Sequence, residues 1–323
     1  MMKFKDLNWL QPILDNLNLK NLHHGTIITG PEGIGKKILA KEIATKLLLN
    51  KTSNKENIDL IEANNHPDLF LLNKDKILLH HITYRKNKWD EEKGQRNIND
   101  FLSITPSIAN KKIAIIANAQ TMNDEGQNAL LKSLEEPASN TFIILTTSRP
   151  KSLLQTIYSR CQVINIPQLL PYQLNEWLID KGITDVNAIN FPSFSTPLSI
   201  LKDIENNKHT NFNDFIKIIS AFIKNKSDIN KSIKDIADLD VSLIMKINYL
   251  IEFLKIILKS RLLSEDLSGI YLDYNSSNFN NLKISNLLNE LNNLRYDYFK
   301  VPQINETHIL NYFLSELKNS IKL

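Results

Sequence analysis

Residues 112–162 read KIAIIANAQTMNDEGQNALLKSLEEPASNTFIILTTSRPKSLLQTIYSRCQ, and this stretch decides the fold class. Its two apolar runs, IAIIA and FIILT, are short, rich in β-branched residues and bounded by polar residues, which is typical of buried parallel strands. Between the runs, Ala129, Leu130 and Leu134 share one face of a predicted helix. Pro137 ends that helix, because proline cannot continue the helical hydrogen bonds. The stretch is therefore a strand–helix–strand unit of a parallel α/β sheet.

A glycine-rich loop follows an earlier β-branched run, TIIT, near the start of the chain. The loop reads GPEGIGKK, and a helix with apolar periodicity comes after it. Strand, loop and helix in that order form a P-loop, in which glycines let backbone N–H groups close around a phosphate. The predicted nucleotide-binding residues of this loop are Gly30, Gly33, Gly35, Lys36 and Lys37.

The P-loop departs from the usual motif in one place. Lys36 occupies the position of the phosphate-binding lysine, but Lys37 stands where Ser or Thr would ligate Mg²⁺. An ammonium group has no lone pair to offer a metal and repels a cation. Nucleotide binding is therefore an open expectation, and Mg²⁺-dependent hydrolysis is not expected.

The motif NALLKSLEEP, followed by an apolar strand and then by SRC, resembles the bacterial clamp-loader branch of the AAA+ ATPases. In that family the SRC arginine is an arginine finger, which reaches the γ-phosphate of ATP held by a neighbouring subunit. A guanidinium is planar and permanently charged, so it suits bidentate contact with phosphate. The resemblance implies that Arg160 acts catalytically in trans, with Ser159 and Cys161 as the rest of its motif.

The resemblance also indicates which catalytic groups are missing. Active relatives carry Asp-Glu after the first apolar strand of the quoted stretch, and this chain has Asn118 and Ala119, which offer neither a charge for Mg²⁺ nor a base for water. Ser148 follows the next strand, where the family places a polar phosphate sensor. Pro197 stands where active relatives carry a lid arginine. Together with Lys37, these residues predict a subunit that donates a finger and does not hydrolyse ATP itself.

Three domains are implied by the same resemblance. Residues 1–167 form a P-loop AAA+ α/β domain with a parallel sheet flanked by helices, and residues 168–206 form a small helical lid. Residues 207–323 form an all-α collar for oligomerisation. In this last part, from residue 211 on, apolar residues recur at helical spacing and glycine occurs once, at Gly269.

The expected partners are those of a clamp loader. They are ATPase (gamma/tau) and clamp-opening delta subunits in a hetero-pentamer, which loads a sliding clamp on primed DNA.

ATP or ADP is expected to bind, if at all, without hydrolysis. Relatives often carry a four-cysteine zinc module, but Cys161 is the only cysteine here, so neither zinc nor another metal is expected. A single cysteine, with no signal peptide and no apolar run of membrane length, predicts a cytoplasmic protein without membrane contact.

Two alternatives remain open at this point. The chain could be an active clamp-loader ATPase of the gamma/tau kind, with a Mg²⁺ site built from other residues. It could also be a DNA-binding module that uses Arg85, Lys86 and Lys88 together with the P-loop lysines. The net charge of +4 is compatible with nucleic acid nearby but does not argue for it alone.

Overall fold

The computed structural model describes residues 2–49, 55–83, 97–274, 279–298 and 305–321. The chain forms two compact units, Met1–Gln168 and Leu169–Leu323. In its described residues the first unit combines strands and helices, and the second contains helices and no named strand. The predicted fold class, an α/β domain with a parallel sheet flanked by helices followed by helices alone, is confirmed. The predicted division of the second part into lid and collar stays a prediction.

One parallel sheet organises the first unit. Within the described residues its five strands lie in the order β2-β3-β4-β1-β5, and every pairing is parallel. The strands are β1 (Gly25–Thr29), β2 (Leu69–Asn73), β3 (Lys112–Ala117), β4 (Thr141–Thr147) and β5 (Gln162–Asn165). β1 and β3 are buried along their whole length, as expected for continuous apolar runs inside an α/β layer.

The helices of the first unit cover both faces of this sheet. They are α1 (Gln11–Asp15), α2 (Lys36–Leu48), α3 (Lys55–Glu62), α4 (Leu79–Ile82), α5 (Ile98–Ser103), α6 (Asp124–Glu135) and α7 (Gln155–Tyr158). Short 3₁₀ turns lie at Phe4–Asp6, Asn8–Leu10, Leu19–Asn21, Ala119–Thr121 and Pro150–Ser152. Ala114 and Ile116 of β3 share a core with α5, α6 and α7. The alternate residues Ile113 and Ile115 point to the other face, where α2 packs on β3 and β4.

The second unit contains seven α-helices in its described residues. They are α8 (Pro171–Asp180), α9 (Pro197–Glu205), α10 (Asn211–Ile223), α11 (Ile229–Ala237), α12 (Leu243–Leu263), α13 (Asn281–Asp297) and α14 (Glu306–Asn319), with 3₁₀ turns at Ala188–Asn190 and Gly269–Tyr274. α10 to α14 share one apolar core, and α12, the longest of these helices, contributes buried residues along most of its length.

A buried lysine joins three of these helices. Lys246 of α12 is 2% exposed, and its Nζ donates to the carbonyl oxygen of Ala237 at 2.9 Å and to Oε1 of Glu306 at 2.8 Å. Ala237 ends α11 and Glu306 begins α14. A cation at a helix C-terminus and an anion at a helix N-terminus both complement the helix dipoles, so this lysine stabilises the ends of two helices at once.

A buried carboxylate fixes the loop that leads into β3. Asp68 is fully buried and accepts hydrogen bonds from the backbone N–H groups of Ser107 (2.7 Å), Ile108 (2.8 Å) and Ala109 (2.8 Å). Burial alone would raise the pKa of Asp68, but the three N–H donors and the nearby His66 imidazole together outweigh it and hold the pKa below its ordinary value of 3.8. The ionised form of Asp68 therefore stabilises the fold at neutral pH.

We predict that Asp68→Asn lowers the free energy of unfolding by about 1–3 kcal/mol, because an amide cannot accept all three hydrogen bonds and leaves buried donors unsatisfied. Since the folded-state pKa is lowered, the contribution of Asp68 is complete above its unfolded pKa and is lost as the pH falls through its folded pKa. Denaturant titrations between pH 7 and pH 3 measure both effects. Asp75→Asn, an exposed aspartate, is the control. Equal stability of the two variants at pH 7 would contradict the prediction.

Candidate functional site

The predicted phosphate loop lies between the end of β1 and the start of α2. Gly30, Gly33 and Gly35 all have positive φ angles, of 150°, 77° and 102°. A Cβ on Gly30 would stand 2.6 Å from the carbonyl oxygen of Ile166, and a Cβ on Gly35 would stand 2.8 Å from Cδ1 of Leu7. The loop therefore requires glycine for its backbone conformation and for close packing.

Lys36 is folded into this loop. Its side chain is 7% exposed, and its Nζ donates to the carbonyl oxygens of Gly30 at 2.8 Å and Pro31 at 2.6 Å. Burial lowers the pKa of Lys36 to about 8, against the opposing effect of the nearby Glu32 carboxylate. A cation enclosed by a glycine loop at a helix N-terminus fits a phosphate group, which would replace the two carbonyl oxygens as acceptor.

Three of the predicted residues meet at one edge of the sheet. β4 lies between β1 and β3, so Gly30, Ser148 and Asn118 follow three neighbouring strands at their carboxyl ends. The backbone N–H of Asn118 donates to Oγ1 of Thr146 at 3.2 Å, and the side-chain amide of Gln120 donates to Oγ of Ser148 at 3.2 Å. The structure therefore places the loop, the degenerate Mg²⁺ position and the sensor-like serine at the same edge.

This edge fits a phosphate but not a catalytic Mg²⁺ ion. Asn118 is exposed and has a left-handed backbone with φ of 55°. Ala119 is fully buried and belongs to the apolar core. Lys37 is exposed on α2. At these positions, the ones expected to hold a metal and activate water, the chain offers an amide, a methyl group and an ammonium, and none of them is a base or a carboxylate.

The remaining predicted positions lie elsewhere. Pro197 is the first residue of α9 in the second unit and is buried, so it supplies neither a charge nor an N–H donor. Arg85, Lys86 and Lys88 lie outside the described residues.

Among the residues that are described, no group of three or more His, Cys, Asp or Glu side chains could hold a metal ion. Likewise, no described helix has both the length and the apolar character needed to span a membrane.

Arg160 lies at the opposite edge of the sheet from the phosphate loop. It lies two residues before β5, which runs parallel to β1 with Thr26 opposite Gln162. Arg160 therefore stands beside the amino end of β1, whereas Gly30 follows its carboxyl end. The five residues of β1 separate the two edges by roughly 17 Å, at about 3.3 Å per residue. The Arg160 side chain cannot span that length and reach the phosphate loop of its own chain.

The guanidinium of Arg160 is oriented by its own neighbourhood. Its Nη2 forms an ion pair with Oε1 of Glu135 at 2.6 Å, and its Nη1 donates to the carbonyl oxygen of Thr156 at 2.9 Å and to Oγ of Ser159 at 3.1 Å. The side chain is 33% exposed. Glu135 is the last residue of α6, so this ion pair joins the NALLKSLEEP helix to the SRC motif.

Cys161 has a packing role in this arrangement. Burial raises the pKa of its thiol to about 12, so the sulfur is protonated at neutral pH and is a poor nucleophile. A Cβ on Gly25 would stand 2.9 Å from Sγ of Cys161, 2.9 Å from Cδ2 of Leu134 and 3.0 Å from the carbonyl oxygen of Arg160. The bare backbone of Gly25 therefore sets how closely the SRC motif approaches β1.

The sequence analysis proposed a role for Arg160, which stays a prediction, and did not single out the residues around it, Glu135, Thr156 and Gly25. One signal was available for Glu135. A carboxylate in the last turn of a helix opposes the helix dipole, so its presence there calls for a cationic partner. The partner comes from a distant part of the sequence, which periodicity and spacing do not reveal.

A sequence-family model described as "DNA polymerase III, delta subunit" matches residues 7–170, which is more than half of the chain. The chain belongs to this family. The match spans the phosphate loop, the NALLKSLEEP helix and the SRC motif, and the resemblance to clamp loaders is confirmed.

Two relatives that carry the name DNA polymerase III subunit delta' show how similar this chain is to individual proteins. DNA polymerase III subunit delta' of Bacillus subtilis (strain 168) is 30% identical over 192 residues, which are 56% of this chain and 55% of that protein. The subunit of the same name from Pseudomonas aeruginosa is 32% identical over 160 residues, 47% of this chain and 46% of the relative. The chain spans about half the length of the curated relatives it matches.

A solved structure described as a DNA polymerase III gamma subunit-related protein from Thermotoga maritima aligns over 98% of this chain and 99% of its own length. It is 16% identical and superposes with a TM-score of 0.42, which is too loose a likeness to argue from.

We predict that Gly25→Ala lowers the free energy of unfolding by about 1–3 kcal/mol, the usual effect of overpacking, because the added methyl group collides with Cys161, Leu134 and the Arg160 backbone. Combining it with Cys161→Ala removes one collision and recovers part of the loss. Denaturant unfolding of the two single variants and the double variant measures the coupling. Additive effects of the two substitutions would contradict this packing.

Proposed function

We propose that this chain is the non-hydrolysing, delta-prime-like subunit of a DNA polymerase III clamp loader, and that it donates an arginine finger to a neighbouring ATPase subunit. One observation carries the proposal. Arg160 lies at the sheet edge opposite its own phosphate loop, while the positions around that loop lack the groups for Mg²⁺ and water. The geometry supports a chain that acts on ATP held by another subunit.

Arg160 supplies the chemistry of the proposed interaction. The guanidinium stabilises negative charge on the γ-phosphate that the neighbour holds, and this charge increases in the transition state. Because the group comes from another chain, hydrolysis in the neighbouring site requires assembly of the two subunits. The ion pair with Glu135 and the bonds to Thr156 and Ser159 hold the guanidinium at the surface, where a neighbour can reach it.

The chain's own phosphate loop has a different role in this proposal. Gly30, Gly33 and Gly35 shape a cradle of backbone N–H groups, and Lys36 adds a positive charge inside it. These residues would hold the phosphates of ATP or ADP as a structural ligand. Hydrolysis is not expected, since neither Asn118 nor Ala119 offers a negative charge for Mg²⁺ or a base for water.

The proposed partners are the gamma/tau ATPase and delta subunits, in a hetero-pentameric ring that places the sliding clamp on primed DNA. The names of the relatives support this assignment, since they are subunits of DNA polymerase III. In this setting the chain is a component of the DNA polymerase III holoenzyme that does not hydrolyse ATP itself, located in the cytoplasm. Contact with the clamp and with DNA takes place through the assembled complex.

We predict that Arg160→Ala lowers the DNA-stimulated ATP turnover of the reconstituted clamp loader without preventing assembly. In related phosphoryl-transfer systems an arginine finger contributes about 10³–10⁵ in rate, so the site that Arg160 serves should become almost silent. Arg160→Lys should recover little, because an ammonium lacks the planar fork. Turnover and complex mass are measured on the same preparations.

Lys151→Ala is the matched control, since it removes an exposed positive charge close to the same segment. It should leave turnover unchanged. If Arg160→Ala also leaves turnover and clamp loading unchanged, the finger role is wrong.

We predict that the isolated chain does not hydrolyse ATP and that its affinity for ATP, measured calorimetrically, falls as the pH rises above about 8. Lys36 is charged below its pKa of about 8 and neutral above it, so the attraction for phosphate is lost in that range. Lys36→Met should bind weakly and lose this pH dependence, whereas Lys37→Met should keep it. ATP hydrolysis by the isolated chain would instead favour the gamma/tau-like alternative.

A further inference from the structure

Glu135 occupies an unfavourable position for the helix to which it belongs. It is the last residue of α6, where the exposed carbonyl groups carry partial negative charge and repel a carboxylate. Its neighbour Glu136 is exposed and forms no ion pair with any described residue. The stability of α6 therefore does not explain a carboxylate at position 135, and the contact with Arg160 does.

The contacts of Arg160 anchor its guanidinium on two sides. Nη1 donates to the carbonyl oxygen of Thr156 and to Oγ of Ser159, and Nη2 pairs with Oε1 of Glu135. Two anchors on different nitrogens fix the plane of the group. The side chain is still 33% exposed, so an external anion can reach it.

A fixed guanidinium is a better partner for a developing charge than a mobile one. Arginine loses considerable side-chain entropy when it is ordered, and this loss opposes every contact that it makes. When the chain itself orders the group before the anion arrives, that cost is no longer part of the reaction. Thr156 and Ser159 lie on the same segment as Arg160, whereas Glu135 anchors it to a separate helix.

We propose that Glu135 is a positioning residue, which holds the Arg160 guanidinium in the orientation required by the phosphate of a neighbouring subunit. This inference rests on the proposed function. The carboxylate touches neither nucleotide nor neighbour and acts only through Arg160. The pair is half-exposed, so it orients the guanidinium without locking it to its own chain.

The test is steady-state ATP turnover of the clamp loader reconstituted from this chain with its cognate ATPase and delta subunits, in the presence of clamp and primed DNA. Glu135→Gln keeps the shape of the side chain and removes its charge. We expect it to lower kcat about two- to fivefold, the range for losing a half-exposed ion pair, with the KM for ATP unchanged. Glu136→Gln is the matched control and should behave as the parent.

Combination with Arg160→Ala separates positioning from a general structural role. If Glu135 acts through Arg160, Glu135→Gln has no further effect in the Arg160→Ala chain. An equal loss in both backgrounds would show that Glu135 acts structurally, and the inference would be wrong. Thermal unfolding of each variant, measured in parallel, identifies any loss of folded protein.

The other outcomes are also decisive. If Arg160→Ala lowers turnover but Glu135→Gln does not, positioning by Glu135 is refuted and the proposed function stands. If Glu135→Gln raises turnover, the carboxylate restrains the finger and does not position it, and the inference is again refuted. If Arg160→Ala itself has no effect, the proposed function fails and the role of Glu135 fails with it.

Discussion

The parallel direction of β1 and β5 is the constraint on which the proposed chemistry depends. In a parallel sheet every strand starts at one edge and ends at the other, so residues that follow strands and residues that precede them never meet. The phosphate loop follows β1, and Arg160 precedes β5. A hydrogen-bonded ladder between the two strands holds these groups at opposite edges of one rigid layer. The proposed function therefore assigns one edge of the sheet to receiving phosphate and the other to providing charge to a separate molecule.

At the sheet edge where β1 and β5 begin, close packing holds the backbone of Arg160 against β1. Gly25 begins β1 without a side chain, and the space that a Cβ would need is filled by the Arg160 carbonyl oxygen and the side chains of Cys161 and Leu134. Glu135 comes next in α6 and reaches the guanidinium. A strand, a helix end and the loop before β5 thus meet at one point, and each depends on the other two for its position. This is why an exposed side chain can still have a defined direction.

The sequence predicted the features that consecutive residues determine. The strand–loop–helix order around GPEGIGKK and the strands β3 and β4 could be predicted, because each is contained in a few consecutive residues. What could not be predicted depends on contacts between distant residues. Neither the pairing of Glu135 with Arg160 nor the burial of Asp68 under the 107–109 backbone has a periodic or compositional signature. The same holds for the carbonyl contacts that Lys36 makes within its loop.

The burial of Ala119 has a consequence for any attempt to build catalysis at this edge of the sheet. This position lies in the apolar core beneath the sheet edge, where a charged side chain would be costly unless it found partners. A glutamate introduced there alone would therefore destabilise the fold, and Asn118 and Lys37 would still bring no negative charge to hold a metal. A working metal site would require substitutions at several positions together and a core repacked around position 119.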